Sequence, residues 1–296
     1  MNTSQTTQQD RPAAASGSFL LGGDLPVVRL GFGAMRVTGH GIWGEPPDHD
    51  GAIAVLKASL DLGITLIDTA DSYGPEVSER LIAEALYPYP RDLVIATKAG
   101  LLRPGPGEWV PDGRPQHLRE AVDGSLKRLR LDTIDLLQLH RPDPKVPFAE
   151  QVGTLVELQR KGKIRHIGLS NVDVKHLKAA REMATIVSVQ NRYNLVDRES
   201  EDELEYCTRE EIGFIPWFPL ATGDLAEPGG PLERIAGRLD VLPAQVAIAW
   251  LLAKSPVMLP IPGTSSVAHL KENAAAALLK LSVSDCEELN GVSHSV

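Results

Sequence analysis

The 296-residue chain has only two cysteines, Cys207 and Cys286, and neither sits in a CxxC or Cys/His ligand spacing. A disulfide framework and a thiolate metal centre are therefore not expected, and free thiols suit a reducing cytosol. No apolar run approaches the roughly 20 residues of a membrane span. No run of Lys and Arg occurs, and with a formal net charge of -9 a nucleic-acid surface is not expected. There is no GxGxxG after the first apolar segment, because Gly31 and Gly33 are followed by Arg36 where a third glycine would stand. The residues up to Ser18 are polar and Ala/Ser-rich, without the apolar stretch of a signal peptide. We read 1–18 as a disordered tail, 19–296 as a single domain, and the cytoplasm as its location.

What is present is a regular alternation. Two short apolar pieces around Gly22-Gly23-Asp24 predict an N-terminal hairpin over Phe19–Arg29. Apolar runs then recur at Ile64–Ile67, Leu93–Thr97, Ile134–Leu139, Ile164–Leu169, Ile186–Val189, Phe214–Phe218 and Val257–Ile261, with helical patterns between them. Near-continuous apolar runs are those of parallel strands buried on both faces. About eight β-then-α units, the starting hairpin and the missing GxGxxG favour a (β/α)8 TIM barrel over an open doubly wound sheet.

In such a barrel the site lies at the carboxyl ends of the strands. Ile67-Asp68-Thr69-Ala70-Asp71-Ser72-Tyr73-Gly74 ends one strand in carboxylates, hydroxyls and a phenol. Other strands end in Lys98, His140, Ser170 with Asn171, Gln190 and Trp217. Singly, each has a plain explanation: Asp68 as a cap, Lys98 reaching for water, His140 as a loop residue before Arg141. Together they point to one catalytic mouth. Metal binding by Asp68, Asp71 and His140 is the competing idea, but Lys98 would be an adverse neighbour, so no metal is expected and Asp71 is read as a turn residue.

The motifs GFGAM, IDTADSYG, ATK, LLQLH, IGLSN, VQNRYN, FIPWFPL and IPGTSSVAHLKEN, in that order, resemble those of aldo-keto reductases from Leu30 to Ala277. LIAEALYPYP and IPGTSSVAHL are similar to bacterial members that reduce pyridoxal. The resemblance implies an NAD(P)H-dependent oxidoreductase that reduces an aldehyde or ketone, with Asp68, Tyr73, Lys98 and His140 as catalytic set. A free phenol is a poor acid at neutral pH, so Lys98 is expected to lower the Tyr73 pKa, Asp68 to orient Lys98, and His140 to donate to the carbonyl oxygen. The resemblance gives the nicotinamide to Ser170, Asn171, Gln190 and Trp217, the last standing for a tyrosine. Phe218, Pro219 and Leu220 lead into a Gly/Pro-rich loop, ending at Pro231, suited to the pyrophosphate. Gly263, Thr264, Ser265 and His269 fall at the 2′-phosphate, Glu272 and Asn273 at the adenine. Gly263 and His269 depart from the family's Lys and Arg, which leaves NADH open beside NADPH as cofactor. Trp43 and Trp109 are candidate substrate contacts. The partner is a small-molecule carbonyl, with a monomer as the default state. The alternative function is an NADPH-binding regulatory subunit with negligible turnover.

Overall fold

Every second residue of a strand faces the same way, and in this chain that alternation separates a barrel interior from a helix-facing layer. The computed structural model describes residues 11–220 and 229–292. Strands β1 (Ser18–Leu21) and β2 (Leu25–Val28) form the expected antiparallel hairpin, turning through Gly22 and Gly23, both at positive φ. Then come β3 (Phe32–Gly33), α1 (His49–Asp61), β4 (Leu66–Asp68), α2 (Val77–Leu86) and β5 (Val94–Ala99). A small antiparallel pair, β6 (Leu101–Leu102) and β7 (Val110–Pro111), rises from the loop that follows. The chain continues with α3 (Pro115–Leu129), β8 (Ile134–Leu139), α4 (Phe148–Arg160), β9 (Ile164–Ser170), α5 (Val174–Arg181), β10 (Ile186–Arg192), α6 (Glu201–Arg209) and β11 (Gly213–Trp217). It ends with α7 (Pro231–Leu239), α8 (Pro243–Lys254), α9 (Val267–Ala275) and α10 (Val283–Asn290).

Seven strands form one parallel sheet in the order β11-β10-β9-β8-β5-β4-β3. Its edges are joined through residues 257–261. Phe214 N donates to Val257 O (2.8 Å), Leu259 N to Phe214 O (2.7 Å), and Gly31 N to Pro260 O (2.9 Å). An eighth strand was expected at Val257–Ile261. The segment makes only one ladder bridge, Phe214 to Met258, because Pro260 and Pro262 have no N–H to donate. The inward residues Leu66, Val94, Ala96, Leu136, Val187, Ile215, Leu259 and Ile261 form a core with Leu21, Leu25 and Val27 of the hairpin, which seals the amino-terminal end. Outward residues pack under the helices.

Part of the expected tail is ordered. Pro12–Ser16 form a 3-10 turn in which Ala13 is buried and its N–H donates to Leu62 O (3.1 Å). Ser16 Oγ donates to Ala13 O and accepts from Leu30 N, so this small-residue turn is bonded to the hairpin's exit. Residues 1–10, the rest of that tail, lie outside the described residues. Helix α7, which begins where the expected Gly/Pro-rich loop ends, was not expected; Pro231 stands in its first turn, and buried Leu232, Ile235 and Ala236 form one apolar stripe against the core. No single helix among the described residues is long and apolar enough to cross a membrane.

Candidate active site

The alternation that makes Leu66, Ala96 and Leu136 face the interior also sends Asp68, Lys98, Gln138 and, beyond the end of β8, His140 inward at the carboxyl ends of their strands. Lys98 is fully buried. Its Nζ donates to Asp68 Oδ2 (2.6 Å), Thr69 O (2.9 Å) and Tyr73 Oη (3.2 Å). An ammonium has three donors, and all three are engaged. Asp68 Oδ1 accepts from Gln190 Nε2 (2.7 Å) and Gln138 Nε2 (3.2 Å). A buried ion pair is tolerable only when its remaining hydrogen bonds are made, and two amides from across the sheet, on β8 and β10, make them. The turn after β4 folds Tyr73 back over this pair: Asp71 N donates to Lys98 O (3.3 Å) and Glu76 N to Asp71 O (2.7 Å). Asp71 is thus part of the turn, and its buried carboxyl is pushed well up, first by burial and then by the charge of Glu79.

The electrostatics correct one expectation. Tyr73 was expected to have a lowered pKa, but its net shift is upward. Burial disfavours the phenolate more strongly than the Lys98 charge favours it, and Asp68 pushes against Lys98. Burial also pushes Lys98 down, yet the Asp68 carboxylate and Tyr73 together outweigh it and the net direction is up. At neutral pH the pair is therefore phenol and ammonium. His140 is held well below its ordinary value by burial, with Lys98, Arg141 and Arg103 adding repulsion, so its imidazole is neutral. Ser72 Oγ lies 3.2 Å from His140 Nδ1. Assigning the hydroxyl as donor there puts the ring proton on Nε2, where it is free to donate.

Above this floor opens a cleft of about 860 Å³. Asp68, Tyr73, His140, Ser170, Asn171, Gln190, Trp109, Trp217, Phe218, Pro219, Leu220, Gly263, Thr264, Ser265 and His269 all line it. Both amide oxygens, Asn171 Oδ1 and Gln190 Oε1, have no partner among the described residues, whereas Asn171 Nδ2 donates to His140 O and Ser170 Oγ (both 3.0 Å). The Trp217 Nε1–H is buried and without an acceptor among the described residues. Two free acceptors, a serine hydroxyl and an orphaned indole N–H on one wall fit a planar carboxamide-bearing ring. Four expected residues do not line the cleft: Lys98 is fully buried beneath it, Trp43 stands behind Arg103, and Glu272 and Asn273 lie on α9, Asn273 buried. Residues 221–228 of the expected pyrophosphate loop, and 293–296, lie outside the described residues.

The sequence profile of the Aldo/keto reductase family matches residues 29–294. The chain belongs to the aldo/keto reductase family. It is 53% identical over 279 residues to an uncharacterized oxidoreductase of Schizosaccharomyces pombe, covering 94% of this chain and 91% of that protein. It is 42% identical over 287 residues to the pyridoxine 4-dehydrogenase of Escherichia coli, covering 95% of this chain and 99% of that one. An aldo-keto reductase from Klebsiella pneumoniae solved in complex with NADPH superposes with a TM-score of 0.78 at 26% identity, over 92% of this chain and 93% of that chain. The chain is an oxidoreductase acting on carbonyl and alcohol groups, and its family uses nicotinamide cofactors.

Within this aldo/keto reductase the departure at Gly263 has a steric cause. A Cβ on Gly263 would lie 2.5 Å from Gly33 O, and one on Gly33 would lie 2.7 Å from Ile261 O. The two glycines let the segment after residue 257 press against β3, which no larger residue permits. A cation that the sequence reading missed, Arg36, lines the cleft beside Gly263, exposed and without an ion pair among the described residues. Gln138 was also missed, although a lone amide in the apolar run of β8 was a visible signal. Ser72 and Arg103 gave none, being polar residues in polar loops.

Proposed function

We propose that this chain is an NADPH-dependent reductase of aldehydes or ketones on a closed (β/α)8 barrel, with pyridoxal the first substrate to test. One observation carries the reading: Lys98 Nζ is held between Asp68 Oδ2 and Tyr73 Oη at the base of the cleft. When bound, the nicotinamide supplies hydride to the carbonyl carbon. Tyr73 gives its proton to the carbonyl oxygen. A buried tyrosine that keeps its proton at rest needs a cation beside it only as that proton leaves, and Lys98 is there. Lys98 in turn stays charged because Asp68 holds it. The neutral His140 donates from Nε2 to the same oxygen and fixes its position. Ser170, Asn171, Gln190 and Trp217 would hold the nicotinamide, and Thr264, Ser265, His269 and Arg36 would meet the adenosine phosphate. Run backwards, the same groups oxidise an alcohol.

The reading is supported by the likeness to a protein named pyridoxine 4-dehydrogenase. The test is oxidation of NADPH and NADH, in parallel, with pyridoxal and aromatic aldehydes. Tyr73→Phe should lose about 10²- to 10⁴-fold in kcat, the scale of a general acid, while NADPH binding is kept. Equal rates for the two proteins would overturn the mechanism, and tight NADPH binding without turnover of any carbonyl would favour the regulatory alternative.

A further inference from the structure

Arg103 follows β6 in the small hairpin that overhangs the cleft and touches none of the catalytic candidates. Its guanidinium carbon sits 3.6 Å from the Trp109 ring centroid and 5.4 Å from that of Trp43. Its Nη1 donates to Ile42 O (3.1 Å) and Ser72 O (3.0 Å). One side chain therefore joins three separate loops: the one carrying Trp43, the one carrying Ser72 and Tyr73, and its own. Trp43 is tied independently to the second of these by a parallel bridge to Gly74. Trp109, covered on one face by Arg103, lines the cleft and meets Tyr73 edge-on at 6.4 Å and His140 at 6.3 Å.

We infer that Arg103 is a positioning residue that clamps Trp109 over the reaction centre and so selects flat aromatic carbonyl substrates over small aliphatic ones. The inference rests on the reductase reading of the same cleft. Arginine suits the post and lysine does not: a planar guanidinium lies flat against indoles and still reaches two carbonyls with one nitrogen. Its Nε and Nη2 are buried without partners among the described residues. Leaving donors unpaired is costly, and the stack between two indoles is the favourable contact that accompanies it. A flat aldehyde entering the cleft would rest against the ring wall that Arg103 fixes, while a short aliphatic one would not reach it.

The test compares wild type with Arg103→Met and Arg103→Lys, using NADPH with benzaldehyde and with propanal. The ratio of kcat/KM for benzaldehyde to that for propanal should fall about tenfold in Arg103→Met, chiefly through KM, as expected when a wall contact rather than a transition-state contact is lost. Arg103→Lys should recover part of it. In a Trp109→Ala background the Arg103→Met change should add nothing further. An unchanged ratio, or a full effect without Trp109, would overturn the proposal. A second readout does not depend on turnover: amide exchange in residues 101–111 should quicken in Arg103→Met while β5 is unaffected. If wild type reduces no carbonyl, the reductase reading fails and the exchange result alone decides whether Arg103 holds the hairpin; unchanged exchange overturns it. Should Arg103→Met not fold, Arg103→Lys carries the same measurements.

Discussion

At the hairpin end of the barrel, Leu21, Leu25 and Val27 pack on the inward Leu66, Val94, Leu136 and Ile215. Two to four residues further along the same strands, the inward positions are Asp68, Lys98, Gln138 and His140. Backbone geometry and burial are alike at the two ends, and only the side chains differ. Apolar groups at the closed end stabilise the fold without direction, in proportion to area removed from water. Polar groups at the open end are held by named partners, so each one removed leaves another buried and unpaired. The closed end should tolerate exchange at a cost in stability alone, the open end at a cost in chemistry as well.

The sharpest way to break that comparison is Lys98→Met. It strands the Asp68 carboxylate, and breaking a buried pair from one side costs about 3–5 kcal/mol. Activity should fall to background in NADPH oxidation, and the urea midpoint should drop. Retained activity would remove Lys98 from the mechanism. Next is Leu21→Ala at the closed end, expected to lower the unfolding free energy by about 2–5 kcal/mol while kcat and NADPH affinity hold. A comparable loss of kcat would show that the two ends are coupled. Smaller is Ser72→Ala, which frees the His140 tautomer, with kcat expected about tenfold lower and stability within about 1 kcal/mol. If kcat does not move, the Nε2 proton does not depend on Ser72.

The smallest effect is a pH slope. His140 has a folded pKa well below the ordinary 6.5. As pH falls through the unfolded value, the unfolded chain takes up a proton that the folded one refuses. His140 therefore favours folding above that pH, and stability drains from about pH 6.5 down to the folded pKa, by up to about 1.4 kcal/mol per pH unit. His140→Gln should flatten the urea-derived stability curve by one proton in that window. An identical slope in both proteins would mean that His140 titrates normally.

The legible parts of this molecule were those governed by local periodicity and by chemistry placed at strand ends. Ile134–Leu139 was read to its limits, because an apolar run interrupted only by Asp135 and Gln138 and followed by His140 admits few alternatives. The misreadings lie where a neighbour decides. The segment 257–261 looked like any other apolar strand, and the prolines that break its ladder matter only once its partners are known. Ala13 reads as tail residue until the pocket beside Leu62 is seen. Trp43 and Trp109 were alike in sequence, yet only Trp109 reaches the cleft, the other being held off by a guanidinium 31 and more positions along the chain from the residues it ties.

Sequence by itself determined the alternation of strands and helices, the hairpin, and the phenol, ammonium, carboxylate and imidazole of the candidate site. These are properties of residue type and spacing. Only the tertiary structure decided how they act on each other. Whether Tyr73 is acidified or kept protonated depends on the balance between burial and a cation whose charge Asp68 shares. Which nitrogen of His140 holds the proton depends on a serine 68 positions away. Which indole faces the substrate depends on where Arg103 lies. Such outcomes follow from distance and dielectric, and neither is written along a chain until it has folded.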